Sequence, residues 1–539
     1  MLGEEPKKLS TTVLFADDAI KRIKKGLDIA ADAVGCTMGP KGKCVVIQKD
    51  EEAPLVTKDG VTVSKSIKLK DPVERIGADL LKEAAGRTND TAGDGTTTAT
   101  VLTAALVHSG LKATSGGHDR VEVRKGMQWA VDKVIDHLKK NSRPVEKKEE
   151  IVQVGTISAN GDKQIGEMIA DAMEKVGRDG VVTVEEATGL TTSCEVVEGM
   201  QLERGYISPM FVTNGDKMNA TYTDCMVLVT DRKLSTLRDL VPILEGVNRA
   251  QKALLVISDE LEGDALHGLI VNKLQGALKV VAIKAPAFGA IREELLGDIC
   301  ALTGATLLSD KTGMSIDKAT IQQLGKAAKV VVDAKSTTIV GTGATAEAVK
   351  QRAADLKTQM EDNRLSEDEK AVLKKRLAKL AAGVAIIRVG GSTEVEMKER
   401  KYRIEDALSA TQSAIEEGIL PGGGTALYDA RQELTAELTE HGDSAWAAGI
   451  RAVEDACLTP LRRICKNAGT SPDVVIDKLD RQQAMSDIQH PGWDAAKEEI
   501  VDMYMAGIVD PTKVTRIALE NACSVATTLL SLDAVVVEE

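Results

Sequence analysis

The chain has 539 residues, too many for one ordinary hydrophobic core, so two or three domains are expected. Hydrophobic residues make up 43% but aromatics only 2%, so the cores must be built from Val, Ile, Leu and Ala, and little material is left for stacking on bases. A formal net charge of -13, from 82 acids against 69 bases, argues against a general affinity for nucleic acid or anionic membranes.

The opening stretch MLGEEPKKLSTTVLF has no apolar core of signal-peptide length, and no apolar run is long enough to span a bilayer. Eight scattered cysteines without a CxxC pair suit reduced, mostly buried thiols, so a cytoplasmic location is expected. From Ala16 to Thr37, Ile20, Ile23, Leu27, Ala31 and Val34 fall on one helical stripe that ends in Gly39-Pro40-Lys41-Gly42. A strand from Cys44 to Gln48 follows, and Val56 to Val63 reads as a hairpin with its turn at Lys58-Asp59-Gly60. Asp71-Pro72 is a cap and first-turn pair for the next helix, whose apolar face is Val73, Ile76, Leu80, Leu81 and Ala84.

That helix delivers the chain to Asn89–Thr100, NDTAGDGTTTAT. Gly93 and Gly95 allow a tight turn and close approach to a ligand, while Thr96, Thr97 and Thr98 would open a helix with N–H groups and hydroxyls facing an anion. Asp94 repels phosphate unless a hard cation such as Mg²⁺ bridges the two. The plain alternative is a glycine turn with a Thr helix cap.

Leu102 to Lys140 continues helical with a break at Gly116-Gly117, and the charged RPVEKKEE run from Arg143 looks like a domain edge. Short strands are expected at Val181–Val184 and Met226–Thr230. After Pro242, helices alternate with strands Leu254–Ser258 and Val280–Lys284, the pattern of an α/β domain with a parallel sheet, extended by Val330–Val332 and Thr338–Val340. Glu347 to Ala382 should form an antiparallel helix pair broken near Asn363-Arg364-Leu365-Ser366. Gly383–Val389 reads as a strand and Glu394–Glu417 as a helix. Leu420-Pro421-Gly422-Gly423-Gly424 then opens a last helical stretch with few breaks to Ser531. Helical ends flanking an α/β centre suggest an inserted domain.

The motifs GPKG, KDG, NDxAGDGTTTAT, VGTISAN, EGM, RGYxSP, APxFG, TEVEMKE, ED, GGG and DPTKVTR, in this order, resemble the group I chaperonins of the GroEL type from about Ala16 to Leu530. The resemblance implies a multidomain α and α/β fold. Its mostly helical equatorial domain would come from both ends (1–140 and 417–539), its small α/β intermediate domain from 141–197 and 384–416, and its inserted α/β apical domain from 198–383. It also implies an ATPase that assembles as a homo-oligomeric, heptameric ring, captures non-native polypeptides, and in some relatives works with a lid co-chaperonin. ATP, Mg²⁺ and K⁺ would be its cofactors.

By position, Thr37, Met38, Gly39 and Pro40 would line the nucleotide, with Lys58 beside them and Asp59 at the monovalent cation. Asp94 would hold Mg²⁺, and Gly95, Thr96, Thr97 and Thr98 would cradle phosphate. Gly423, Asp494, Ala495, Ala496 and Asp510 would contact the adenosine, and Asp406 would direct the attacking water. Phosphoryl transfer needs little more than positioning, a metal and one water-directing group. Taken singly, Asp406 reads as an acid on a charged helix, Asp510 as a helix cap and the Gly run as a turn.

In the apical region the resemblance puts Tyr206, Met210, Phe211, Val241, Leu244, Leu266, Ile270 and Val271 on a cavity-facing apolar groove, although such stripes are more often core. Gly199 and Gly383 would be hinges, with Ala382 where bacterial relatives carry a second Gly. Other departures are Met210 in place of an aromatic, Asp494 in place of an Asn, Ser471 in place of an inter-ring acid facing Arg462, and a C-terminus without a Gly-Gly-Met tail. A soluble phosphotransfer enzyme acting on a small substrate, and a holdase without turnover, are the competing functional readings.

Overall fold

The apolar stripe of the helix Ala16–Gly35 (Ala19, Ile23, Leu27, Ala30, Val34) is buried in the computed structural model. The model describes residues 11–48, 54–177, 181–187, 189–215, 217–309, 311, 313–314, 316–360, 366–485 and 487–538. The stripe packs on the helix Pro72–Ala92 so closely that a Cβ at Gly26 would strike the Glu74 carbonyl and one at Gly77 the Ile23 carbonyl. Asp71 caps that second helix by accepting from the Val73 and Glu74 N–H groups, with Pro72 at the first helical position. Helices Thr96–Ser115, Arg120–Lys140, Ala445–Ala468 and Thr512–Leu530 complete a core of Leu102, Leu106, Met127, Val131, Ile450, Val453 and Leu519, as aliphatic as the composition requires.

The chain divides into two compact units, Met1–Ala170 with Gly391–Glu539, and Asp171–Gly390, so both ends build one unit and the second is inserted. In the first unit Thr11–Phe15 pairs antiparallel with Ala534–Glu538, tying the ends together. Two expectations fail here. Lys58-Asp59-Gly60 is no hairpin turn, because Asp59 accepts from the Val61 and Thr62 N–H groups and caps the helix Gly60–Ser66; the hairpin is Val45–Ile47 with Leu55–Thr57. The stretch to Ser531 is not one helical run: Pro491–Asp494 pairs with Glu499–Asp502 and Ile419–Pro421 with Val509–Pro511, where Pro and Gly break the helical ladder.

In the second unit a six-stranded sheet runs Lys279–Lys284, Ala253–Ser258, Ala220–Val229, Gly325–Val332, Thr337–Val340, Gly199–Leu202; the first three are parallel and the rest antiparallel. Ala253–Ser258 is buried along its whole length, which explains its unbroken apolar sequence. Helices Leu237–Arg249, Gly263–Leu274 and Gly289–Thr303 supply the alternation expected of this region, the first containing Pro242 rather than following it. The helix pair is Ala346–Met360 and Glu367–Ala382; the break expected at Asn363–Leu365 lies outside the described residues. Buried Asp298 is gripped by Arg352 and Arg376, each Nε at 2.8 Å, which anchors this pair to the helix Gly289–Thr303. A second sheet centres on Val384–Val389, parallel to Val181–Glu186 and antiparallel to Ser193–Val197.

Candidate functional site: a glycine-bounded loop at helix ends

The helix Pro72–Ala92 stops because Gly93 turns left-handed, φ 72°, with its N–H returning to the Asn89 carbonyl. Gly95, φ 83°, then caps the helix Thr96–Ser115, so Asp94 stands alone between two left-handed residues. Neither glycine has room for a side chain: a Cβ on Gly93 would run into Ser409, and one on Gly95 into Val514. The helical ladder begins with Ala99 N–H to Gly95 O at 2.9 Å, so the helix itself offers no acceptor to the N–H groups of Thr96, Thr97 and Thr98.

Asp94 accepts from the Gly95 N–H at 2.5 Å through Oδ1 and from the Ser158 hydroxyl at 2.8 Å through Oδ2. Burial pushes its pKa up, outweighing both bonds, and the nearby charge of Asp59 adds to the rise. Asp510 is pushed up to about 7, first by burial and then by Asp94, against the opposing Gly423 N–H. Three carboxylates from distant sequence positions therefore share one electrostatic neighbourhood. The helix Gly60–Ser66 lies directly on the start of the next segment, since a Cβ on Gly60 would collide with Thr97 Oγ1. Lys58 is partly buried beside its cap.

Asp406 is carried by the helix Glu394–Glu417, capped by Thr393. This helix is bound to the loop twice: Ser413 Oγ donates to the Ala92 carbonyl at 2.9 Å, and Ser409 fills the space that the missing Gly93 side chain leaves. Asp406, Ser409 and Ser413 share one helix face, which puts Asp406 one turn beyond the contact.

The Gly422–Gly424 run follows Ile419–Pro421, which pairs Leu420 with Asp510. Gly423 (φ 65°) and Gly424 (φ 81°) turn the chain into the helix Thr425–Ala430, and a Cβ on Gly424 would come within 2.8 Å of the Leu461 backbone. Asp494 spends Oδ1 on the Ala496 and Lys497 N–H groups, at 2.9 and 3.2 Å, and closes the turn of its own hairpin; Ala495 is buried and Ala496 exposed. Met38 packs against the cluster that contains Trp493 and Ala495, and its carbonyl accepts from Asn467 at 2.9 Å. Thr37 donates its hydroxyl to Val34 O, Gly39 (φ 83°) rests on Ile464, and Pro40 is exposed.

Ser158, which holds Asp94, was not singled out from the sequence, although it lies in the VGTISAN run. Ser409 and Ser413 also escaped, because small polar residues on a helix carry no signal until their partner is known. The residues present fit a nucleotide and a hard cation: an all-oxygen acidic set, free N–H groups beside it, and two buried polar atoms, Thr425 Oγ1 and Trp493 Nε1, without a protein partner.

The residues expected to form the apolar groove differ in exposure. Phe211 is 0% exposed and Leu244 8%, and both belong to the core of the inserted unit, so the reading of these two as open contact residues is corrected. Met210 at 56% and Val241 at 38% do face solvent, while Tyr206, Leu266, Ile270 and Val271 are half-buried.

Among the described residues no helix is long and apolar enough to cross a membrane. Two crystal structures of the chaperonin gp146 from the bacteriophage EL 2 (Pseudomonas aeruginosa), both in the presence of ATP-BeFx, match this fold. Crystal form II gives a TM-score of 0.68 at 24% identity and crystal form I 0.63 at 23%, each covering 98% of this chain and 99% of that one. The family model described as the TCP-1/cpn60 chaperonin family matches residues 30–539. Glycine-bounded loop, inserted α/β unit and family match agree, and the chain belongs to the TCP-1/cpn60 chaperonin family.

Proposed function

We propose that this ATP-dependent chaperonin binds Mg²⁺-nucleotide at the Gly93–Thr98 loop and uses Asp406 to direct the attacking water. The observation that carries the reading is the seating of Ser409 and Ser413 on Gly93 and Ala92, which ties the Asp406 helix to the phosphate loop. When bound, Mg²⁺ neutralises charge that develops on the phosphate oxygens. Asp94 is the residue to hold it, oriented by Ser158, and Asp510 adds a second acid next to Asp94. The N–H groups of Thr96–Thr98 receive phosphate at a helix N-terminus. Thr37–Pro40, Gly423, Asp494, Ala495 and Ala496 border the rest of the nucleotide, and Lys58 and Asp59 border a K⁺ site.

Hydrolysis drives movement of the inserted unit in a homo-oligomeric ring, heptameric by likeness to the family, that captures non-native polypeptides through Met210, Val241 and their half-buried neighbours. Gly199 and Gly383 are the proposed hinges: Gly383 is left-handed at φ 70° and Gly199 sits against Val384. Equatorial, intermediate and apical regions follow the boundaries given above, a lid co-chaperonin is the proposed partner, and the cytoplasm is the proposed location. Neither comparison supports a phosphotransfer enzyme for a small substrate. ATP turnover measured with and without an unfolded protein tests the reading; turnover that is blind to unfolded protein, with no capture of it, refutes it.

A further inference from the structure

Burial pushes the thiols of Cys225, Cys300, Cys457 and Cys523 up to about 12 and Cys465 to about 11, and raises Cys194 as well. Cys44 is exposed and Cys36, like Cys194 and Cys300, is partly exposed; Cys36 and Cys44 bracket the loop that contains Thr37–Pro40. The two limbs of this loop are fastened at its base. Lys43 N–H donates to the Cys36 carbonyl at 2.8 Å, and Gly42 N–H donates to Gly39 O at 3.0 Å. Gly42 lies so close to the Thr37 carbonyl that a Cβ there would collide with it. Cys44 is the next residue after Lys43. A disulfide asks for Cα atoms about 4.4 to 6.8 Å apart, and Cys44 lies one residue beyond the hydrogen bond that joins Lys43 to Cys36. Cys36 Sγ rests on the Ala33 carbonyl at 3.2 Å, a weak bond that rotation about χ1 releases.

We propose that Cys36 and Cys44 are a redox modification site, forming a reversible disulfide that staples the Thr37–Lys43 loop and slows ATP turnover. The effect on turnover rests on the nucleotide reading above; the disulfide itself does not. With glutathione disulfide as oxidant, the Cys44 thiolate attacks one of its sulfurs, the glutathione S–S bond breaks, and one glutathione thiolate leaves. The Cys36 thiolate then attacks the Cys44 sulfur of the mixed disulfide and expels the second glutathione thiolate. Two protein thiols are oxidised, one glutathione disulfide is reduced, and the two protons lost by the cysteines go to the two departing glutathiones.

The test treats the full-length protein with glutathione disulfide, maps non-reduced peptides by mass spectrometry and measures ATP turnover on the same samples. A peptide linked Cys36 to Cys44 is expected in the wild type and not in Cys44→Ser. Turnover should fall by about fivefold, equal to about 1 kcal/mol in the barrier, and return with dithiothreitol, while Cys44→Ser is indifferent to the oxidant. Cys44 carrying glutathione with Cys36 still a thiol, a Cys44 link to another chain, or no modification overturns the site. A linked peptide with unchanged turnover overturns the regulatory effect. Absence of turnover in the untreated protein fails the nucleotide reading and leaves the peptide map to decide the disulfide.

Discussion

The proposed phosphate loop and the proposed capture face of the inserted unit are built in opposite ways. At the loop, each key position is constrained by backbone: Gly93 and Gly95 are left-handed and pressed on by Ser409 and Val514, and Asp94 is held by Gly95 and Ser158. On the inserted unit, nearby residues of similar chemistry part company, with Met210 exposed and Phe211 buried, Val241 exposed and Leu244 buried. Gly93 and Gly95 have no room for a side chain, whereas capture as proposed needs only apolar surface at the right places. Chemistry on a nucleotide demands fixed geometry; capture of unfolded chains demands adaptable contact.

The largest expected effect divides that second region. Phe211→Ala should cost about 3 to 5 kcal/mol of stability, read by denaturant or thermal unfolding, while Met210→Ser should leave unfolding within about 0.5 kcal/mol and weaken retention of a denatured protein. Equal destabilisation by both would erase the distinction. At the loop, Asp406→Ala should bind ATP normally and hydrolyse it about 10²-fold more slowly, about 2.7 kcal/mol in the barrier, whereas Asp94→Ala should lose productive binding. Calorimetry and turnover on the pair check this, and equal loss of affinity in both would refute the division of roles.

Next in size is a pH effect away from either region. Burial pushes the Asp429 carboxyl up from 3.8 to about 7, partly offset by a bond from Gln483. The folded state then binds the proton more tightly than the unfolded chain, so stability falls as pH rises from 3.8 and is fully lost from this group above 7. Asp429→Asn should raise Tm by about 2 to 4 °C at pH 8 and by less at pH 5; an equal change at both would show that ionisation is not the cause. The smallest effect concerns ring pairing. Arg462 is engaged by Asp455 of its own helix at 2.5 Å, and Ser471 offers no charge, so rings should pair weakly or part with nucleotide. Ser471→Glu should raise the double-ring fraction in electron micrographs by restoring about 0 to 1 kcal/mol per subunit; unchanged counts at low protein concentration would sink it.

Much of this was legible along the chain. Helical stripes, the Asp71-Pro72 start, the alternation after Pro242 and the insertion of one unit into another all depend on local periodicity and on breakers, which a one-dimensional pattern preserves. Gly93, Asp94 and Gly95 stood out because a left-handed turn before a helix leaves few residue choices. Tertiary structure alone decided what depends on partners distant in sequence: that Asp94 raises the proton affinity of Asp510, and that Ser158 and Ser413 fasten the loop. It also decided which apolar residues of the inserted unit remain open, since a side chain's exposure is set by the surface packed on it and not by its own chemistry.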